Sequence, residues 1–405
     1  MQLQIAWRNI WRNPRRTLII LAAVIIGAWT MLFFGALSRG MAESMLDNSI
    51  NTLTGHIQIQ KTGYRDDPVV ENRIDDPAPL RALLEKVLPP DAKWAFRIEV
   101  NGVASNARNS DGVAIVGIAP DREPGLSFYG QSIVAGRPLG MDDAHGMVVG
   151  KGLLDSMDTK PGRKIVLMTQ GADKDTQSRA FKIRGVYRAE LEATEKRYVF
   201  ITLSAARTLL GVQDAVTAAC VRLPDRNRVE PVAEALRAEL PAGLTVLTWE
   251  DMLPLLTGYL SMFDSFMFLW YLVVFTAMGF GIVNTMLMAV LERTREFGLL
   301  KALGMRPALI VRGVLAECLI LLLVGLAAGN LLGLASIHAL SGGIDLSFMA
   351  QGSEYFGMGH IIIPKLAARD ALTANAVILA LGLLVCLYPA LKAGRITPVE
   401  AMAQT

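Results

Sequence analysis

The chain has 405 residues, of which 52% are hydrophobic and 19% charged, with a mean hydropathy of +0.37. That is too apolar for an ordinary soluble enzyme and too charged for a protein lying wholly in lipid, so a few membrane spans plus a sizeable water-exposed domain are expected. A formal net charge of +3 supplies no bulk attraction for nucleic acid.

The first expected element is an amphipathic helix in AWRNIWRNPRR, within a cytoplasmic segment 1–16. Ala6, Trp7, Ile10 and Trp11 recur at helical spacing with Arg8, Asn9, Arg12 and Asn13 opposite, which suits the headgroup layer. Pro14 breaks it. Residues 17–37 carry no charge and are long enough to cross a bilayer core. A signal peptide is the alternative. The run is longer than a typical signal core, and Ala36-Leu37-Ser38 is a poor cleavage site, so an uncleaved anchor is expected.

Residues 38–260 are expected to form a mixed α/β domain. Alternating strands are predicted at 56–60, 97–105, 113–118, 147–149, 164–168, 181–187, 198–201, 218–223 and 245–247. Helices are predicted at 79–87, 204–210 and 228–240. In the last, Val229, Val232, Ala233, Leu236 and Leu240 share one face, completing a compact β-α-β unit with its flanking strands. The glycine-rich centre, 120–195, reads as a β-rich insert. Apolar helical character continues over 41–53 and 249–266, which predicts two stalk helices rather than flexible linkers.

Three further spans follow at 261–291, 308–340 (with Arg312 and Glu317 near its start) and 372–391. Basic residues cluster before the first span, between the second and third, and in the tail 392–405. The bias places both termini and the segment 292–307 in the cytoplasm, with 38–260 and the loop 341–371 outside.

Resident catalytic chemistry is not in sight. No GxxxxGK[ST], HExxH, CxxC or GxSxG occurs, and the four histidines are scattered. Asp142-Asp143-Ala144-His145 reads as a solvated turn rather than a metal site. Of three cysteines, Cys318 and Cys386 fall in apolar runs and read as small core residues, and Cys220 stands alone; no disulfide framework is expected.

The stretch ERTREFGLLKALGMRP, 292–307, is short, charged and wedged between two apolar runs. As a helix it would align Phe297, Leu300 and Leu303 or Gly304 on one side. Glu292, Arg293, Arg295, Glu296 and Lys301 would form its polar surface. Gly298 and Gly304 permit close backbone approach, and Pro307 restarts the chain.

This segment resembles the cytoplasmic coupling loop of FtsX-like ABC permeases, close to "ERTREIGILKALG". The ending YPALKAGRITPVEAM is similar to the family's "PA-x-x-A-x-R-x-x-P-x-E-A-L", matching at Pro389, Ala390, Ala393, Arg395, Pro398, Glu400 and Ala401. VAGRPLGMDDAHGMVVGKGLLDSM, 134–157, and WRNIWRNPRRT also fit, so the resemblance spans nearly the whole chain. Length and TGHIQIQKTGYRDD, 54–67, are nearest to the lipoprotein-releasing LolC/LolE group, with MacB-type pumps and FtsX as other members.

The resemblance implies a membrane α-helical fold of four spans, with a large extracytoplasmic α/β domain between the first two. It implies a non-catalytic permease in the bacterial inner membrane. No cofactor is bound by the chain itself; ATP and Mg would be held by a partner ABC ATPase dimer. Other implied partners are a second permease subunit, identical or sister, membrane lipids, and a periplasmic lipoprotein chaperone or adaptor. The ATPase would clamp a coupling helix containing Glu292, Arg293, Arg295, Glu296, Phe297, Gly298, Lys301 and Gly304. Met31, Phe33, Phe34, Phe266, Met267 and Phe268 would line a lipid-open substrate cavity. Lipoprotein extraction is the leading function; mechanical signalling to a periplasmic partner and tripartite efflux are the alternatives.

Overall fold

The computed structural model describes residues 12–345 and 361–397. The expected interfacial helix up to residue 11, residues 346–360 of the loop expected outside the membrane, and the tail from Pro398 lie outside them. The described chain divides into a helical unit (12–43, 259–345 and 361–397) and an α/β unit (44–258).

In chain order, α1 (Pro14–Ser49) ends in a π-helical turn, Ile50–Thr54, followed by β1 (Ile57–Lys61), α2 (Ala78–Val87), β2 (Lys93–Ser105) and β3 (Ser110–Ile118). Next come β4 (Ile133–Gly136), β5 (Gly146–Gly150), α3 (Lys151–Ser156), β6 (Lys164–Gln170), β7 (Thr176–Tyr187), α4 (Glu192–Arg197) and β8 (Tyr198–Thr202). Then follow α5 (Leu203–Leu210), β9 (Ala218–Arg222), α6 (Val229–Glu239), β10 (Leu244–Thr248) and α7 (Trp249–Met252). The chain continues with α8 (Pro254–Glu292), α9 (Thr294–Ala302), α10 (Pro307–Ala339), the short pair β11 (Ile344–Asp345) and β12 (Ile361–Ile362), and α11 (Ala368–Arg395).

In the helical unit, α1, α8, α10 and α11 are long and apolar enough to cross a membrane. Their packing rests on small residues. Gly325, Gly329 and Gly333 of α10 recur every fourth position and meet Val24, Ala28 and Leu32 of α1, which recur likewise. A Cβ on Gly329 would lie 2.6 Å from Ala28 Cβ and 2.9 Å from the Ile25 carbonyl, so only glycine admits this approach. Polar groups add specificity: Asn330 and Asn375 pair their amides between α10 and α11, at 2.8 and 3.3 Å. At the other end of α1, Arg39 holds both carboxylate oxygens of Asp370 at 2.5 and 2.8 Å.

Cys318 and Cys386 are more than the small core residues that the sequence predicts. Cys318 of α10 and Cys386 of α11 face each other as a disulfide, with Cα atoms 6.6 Å apart. Two residues 68 positions apart give no sequence sign of this; the helix pairing brings them together.

The α/β unit is built on one mixed sheet in the order β10-β1-β9-β2-β3-β8-β5-β7-β4, with β6 pairing β2 and β7. β1 lies antiparallel between β9 and β10, so the expected compact β-α-β unit is a split one. Leu80 and Leu84 of α2, with Val229, Ala233 and Leu236 of α6, cover this end over Ile57, Ile59, Phe96 and Val221. The region 120–195 is not a separate insert: β5 pairs β8, and β6 pairs β2, within the common sheet. β4, α3 and α4 were not anticipated, being four to six residues long.

The two predicted stalks differ. α1 continues helically through its π turn to Thr54. Beyond β10 the helix breaks at Leu253, before Pro254, whose ring excludes helical geometry from the preceding residue. Thr248 and Asp251 form a reciprocal capping box that starts α7.

One buried ion pair fastens the end of α1's turn to the sheet. Arg97 of β2 meets Glu123 through two bonds, 2.7 and 2.9 Å, and donates from Nη1 to the Leu53 carbonyl at 2.6 Å. Ser127 Oγ donates to the same carboxylate at 2.7 Å. Cys220, whose thiol burial pushes up to about 11, donates to the Leu53 carbonyl at 3.4 Å. These side chains satisfy carbonyls that a helix end leaves open.

Candidate functional site

The segment 292–307 folds as a short helix between two bends. α8 stops at Glu292, and Thr294 Oγ1 donates to the Leu291 carbonyl at 2.6 Å. α9 closes at Gly304, whose φ of +91° is the left-handed geometry favoured by glycine. There the Met305 amide reaches back to the Leu300 carbonyl, and Pro307 starts α10.

Its inner side is wired to the bundle. Phe297 and Gly298 are buried, and Phe297 packs in the same cluster as Val290, Ile310, Ala390 and Ala393. Arg293 stacks over the Phe297 ring at 5.1 Å and pairs with Glu296 at 3.2 Å and Glu317 at 3.0 Å. Lys301 Nζ donates to the carbonyls of Gly394 and Ile396, 2.6 and 2.8 Å away, at the end of α11. Arg12 pairs with Glu296, and Arg16 of α1 with Glu292. The hydrogen bond from Arg12, then that from Arg293, holds the Glu296 carboxyl below the usual carboxylate range.

Two expectations for this segment change. Arg293 and Lys301 are inward ties rather than polar surface. Leu303 and Gly304 do not continue the Phe297 side: Leu303 is 77% exposed and Gly304 is exposed. The outward face is instead Arg295, Leu299 (63% exposed), Ala302 and Leu303. Periodicity could not separate the faces, because apolar residues occupy both.

The six residues expected to line a cavity differ in their surroundings. Met31 is fully buried in the helical core. Phe33 stacks on Trp29 at 6.1 Å and Phe34 on Trp270 at 4.4 Å. Met267 packs against the core, while Phe266 and Phe268 are exposed on α8. In the α/β unit, Asp143 is not a solvated turn residue. It is largely buried, accepts from Arg137 and the Gly140 amide, and the Arg137 hydrogen bond pulls its carboxyl down.

Two family models divide the chain between them: a MacB-like periplasmic core domain over residues 17–239 and an FtsX-like permease C-terminal domain over 266–398. The chain belongs to the FtsX-like ABC permeases of the LolC/LolE/MacB type. It is 22% identical to the lipoprotein-releasing system transmembrane protein LolE of Haemophilus influenzae, over 98% of each chain. It is 21% identical to LolC of Xylella fastidiosa over 71% of each. It is 24% identical to the macrolide export ATP-binding/permease protein MacB of Nitrobacter winogradskyi, over 97% of this chain but 58% of that one.

Within this permease, sequence reasoning missed the α1–α10 glycine contacts and the Asn330–Asn375 pair. Both left a signal: Gly325, Gly329 and Gly333 are a doubled small-x3-small pattern, and asparagines inside apolar runs seek each other.

Proposed function

We propose that this chain is a non-catalytic permease subunit worked by an ATPase on a partner chain, which holds ATP and Mg and docks on α9. The observation that carries this reading is the two-sidedness of α9. Its outward face offers Leu299, Ala302 and Leu303 with a basic flank at Arg295. Glu296 of α9 is tied to Arg12, just ahead of α1, and Lys301 to the end of α11, while the bend before α9 is tied to α1 by Arg16 on Glu292 and to α10 by Arg293. A push on α9 would therefore reach three other spans through hydrogen-bonded charges rather than a loose loop.

The orientation that fits has α9 and both termini in the cytoplasm, because the basic residues at the span ends gather there. The α/β unit would then lie in the periplasm of a bacterial inner-membrane protein. A second permease subunit would complete the transporter. α8 exposes Phe266, Phe268, Leu272 and Phe280, an apolar face suited to that subunit or to lipid. End-to-end coverage of LolE supports a lipid-anchored substrate, such as a lipoprotein, drawn from the membrane. Efflux of a macrolide-like compound is the second reading, supported by the MacB likeness.

The test is a pair of substitutions in the full complex. Leu303→Asp places a charge on the docking face, and Gly304→Trp forces a bulky residue into left-handed geometry. Both should lower ATPase co-purification at least about tenfold, which corresponds to about 1.4 kcal/mol. Glu296→Lys, set beside Arg12 and Arg293, should leave docking in place and reduce stimulation. Unchanged co-purification in the first two would remove the docking assignment. Mass spectrometry of material retained in mild detergent separates lipoprotein from a small-molecule cargo.

A further inference from the structure

The α/β unit contains a cavity of about 470 Å³ that the permease mechanism does not use. Its wall comes from the end of α1 (Asn48) and its π turn (Asn51), from Ser132 before β4, from Arg188 and Glu190 after β7, and from Arg222 at the end of β9. The frame is held together: the Arg188 amide donates to the Ser132 carbonyl at 2.9 Å.

Two independent features of this wall point to a ligand. First, Nδ2 of Asn48, Oδ1 of Asn51 and Oγ of Ser132 are buried and make no hydrogen bond among the described residues. Buried polar atoms are nearly always paired, so three in one cavity wall is a departure. Each has under 1 Å² of accessible surface, so rotation of these three side chains toward the cavity would be needed to present an amide donor, an amide acceptor and a hydroxyl to a ligand. Second, Arg188 and Arg222 make no ion pair among the described residues, and Glu190 is the only carboxylate in the wall. The wall thus carries an excess of positive charge beside groups that both donate and accept. Arginine forks match oxyanions.

We propose that this cavity binds a hydroxylated phosphate ester, its phosphate on Arg188 and Arg222 and its hydroxyls on Asn48, Asn51 and Ser132. Such a ligand would bridge the last turns of α1 to strands β7 and β9, so its occupancy would stiffen the join between that helix end and the sheet. The chemistry is common to a free phosphate ester and to a glycerophospholipid headgroup.

The purified full-length permease is titrated calorimetrically with sn-glycerol 3-phosphate, with glycerol, and with a short-chain phosphatidylglycerol below its micelle concentration. Saturable binding of a phosphate-bearing probe is expected, with none for glycerol. Arg188→Gln and Arg222→Gln should each weaken it at least about tenfold. Arg188→Lys should retain most of it, and Asn51→Leu should weaken it again. Arg188 is exposed, so its variants report on the site even if an Arg222 variant fails to fold. Tighter binding of the phosphatidylglycerol assigns the site to a lipid headgroup, and equal or tighter binding of glycerol phosphate to a soluble ester; either supports the site. No saturable binding of either phosphate probe up to about 10 mM, or unchanged affinity in the Arg188 and Asn51 variants, overturns it.

Discussion

Arg293, at the bend between α8 and α9, sets its Nη1 3.0 Å from both carboxylate oxygens of Glu317, which lies inside α10. Both side chains are half-buried or better, so the pair is weakly screened. It links the charged segment directly to a membrane helix. Glu317→Gln keeps the shape and removes the charge. It should cost about 1–3 kcal/mol, less than breaking a fully buried pair. ATPase co-purification should persist while its stimulation by the permease falls. Exchanging the charges, Arg293→Glu with Glu317→Arg, should restore part of it. Normal stimulation in Glu317→Gln would show that the pair carries no motion.

The α1–α10 contact predicts a reversal of an ordinary trend. Glycine-to-alanine usually favours a helix by about 1 kcal/mol. Gly281, with open space where a Cβ would go, should follow that trend. Gly329→Ala drives its methyl against Ala28 and the Ile25 carbonyl, and should destabilise by about 1–3 kcal/mol. Thermal unfolding in one detergent compares the two. Equal behaviour would mean that the helices do not meet at these glycines.

Arg97 and Glu123 should behave non-additively. Arg97→Met leaves Glu123 buried without a counter-charge and the Leu53 carbonyl without its donor, a loss of about 3–5 kcal/mol. Adding Glu123→Leu removes the stranded charge and should recover a large part of that. Denaturant titration of the α/β unit's unfolding in the intact chain measures the cycle. A double variant as unstable as the sum of the singles would reject the pairing.

His56 gives the α/β unit a pH dependence. Burial first, then Arg222 and Arg226, lowers it from 6.5 to about 4. Its Nδ1 accepts the Leu223 amide at 3.0 Å, so the neutral ring is the one that fits. A folded value below the unfolded one means that protons favour unfolding. Stability is complete above 6.5 and is lost as pH falls towards 4. Between pH 7.5 and 5 the loss from this group is about 2 kcal/mol. His56→Asn keeps an acceptor and should flatten that part of the profile. An identical pH slope in both proteins would count against the assignment.

The spans were legible because a bilayer core demands about 20 apolar residues in a row, a requirement local in the chain. So were most strands of the α/β unit and the Val229–Glu239 helix, whose alternation or helical spacing sets one face against a core. The segment 292–307 was legible as a charged interruption.

What each of its residues faces was not. The sequence by itself determined how many apolar helices there are, their order around an α/β domain, and the family. Only the tertiary structure decided that Arg293 and Lys301 turn inward while Leu299 and Leu303 face out, that Met31 is core, and that β1 lies between β9 and β10. It alone set Cys318 against Cys386. The physical reason is common to all of these. Chain periodicity specifies that a face is apolar, but which partner covers it depends on contacts between residues tens to hundreds of positions apart, and those exist only once the helices and strands have packed.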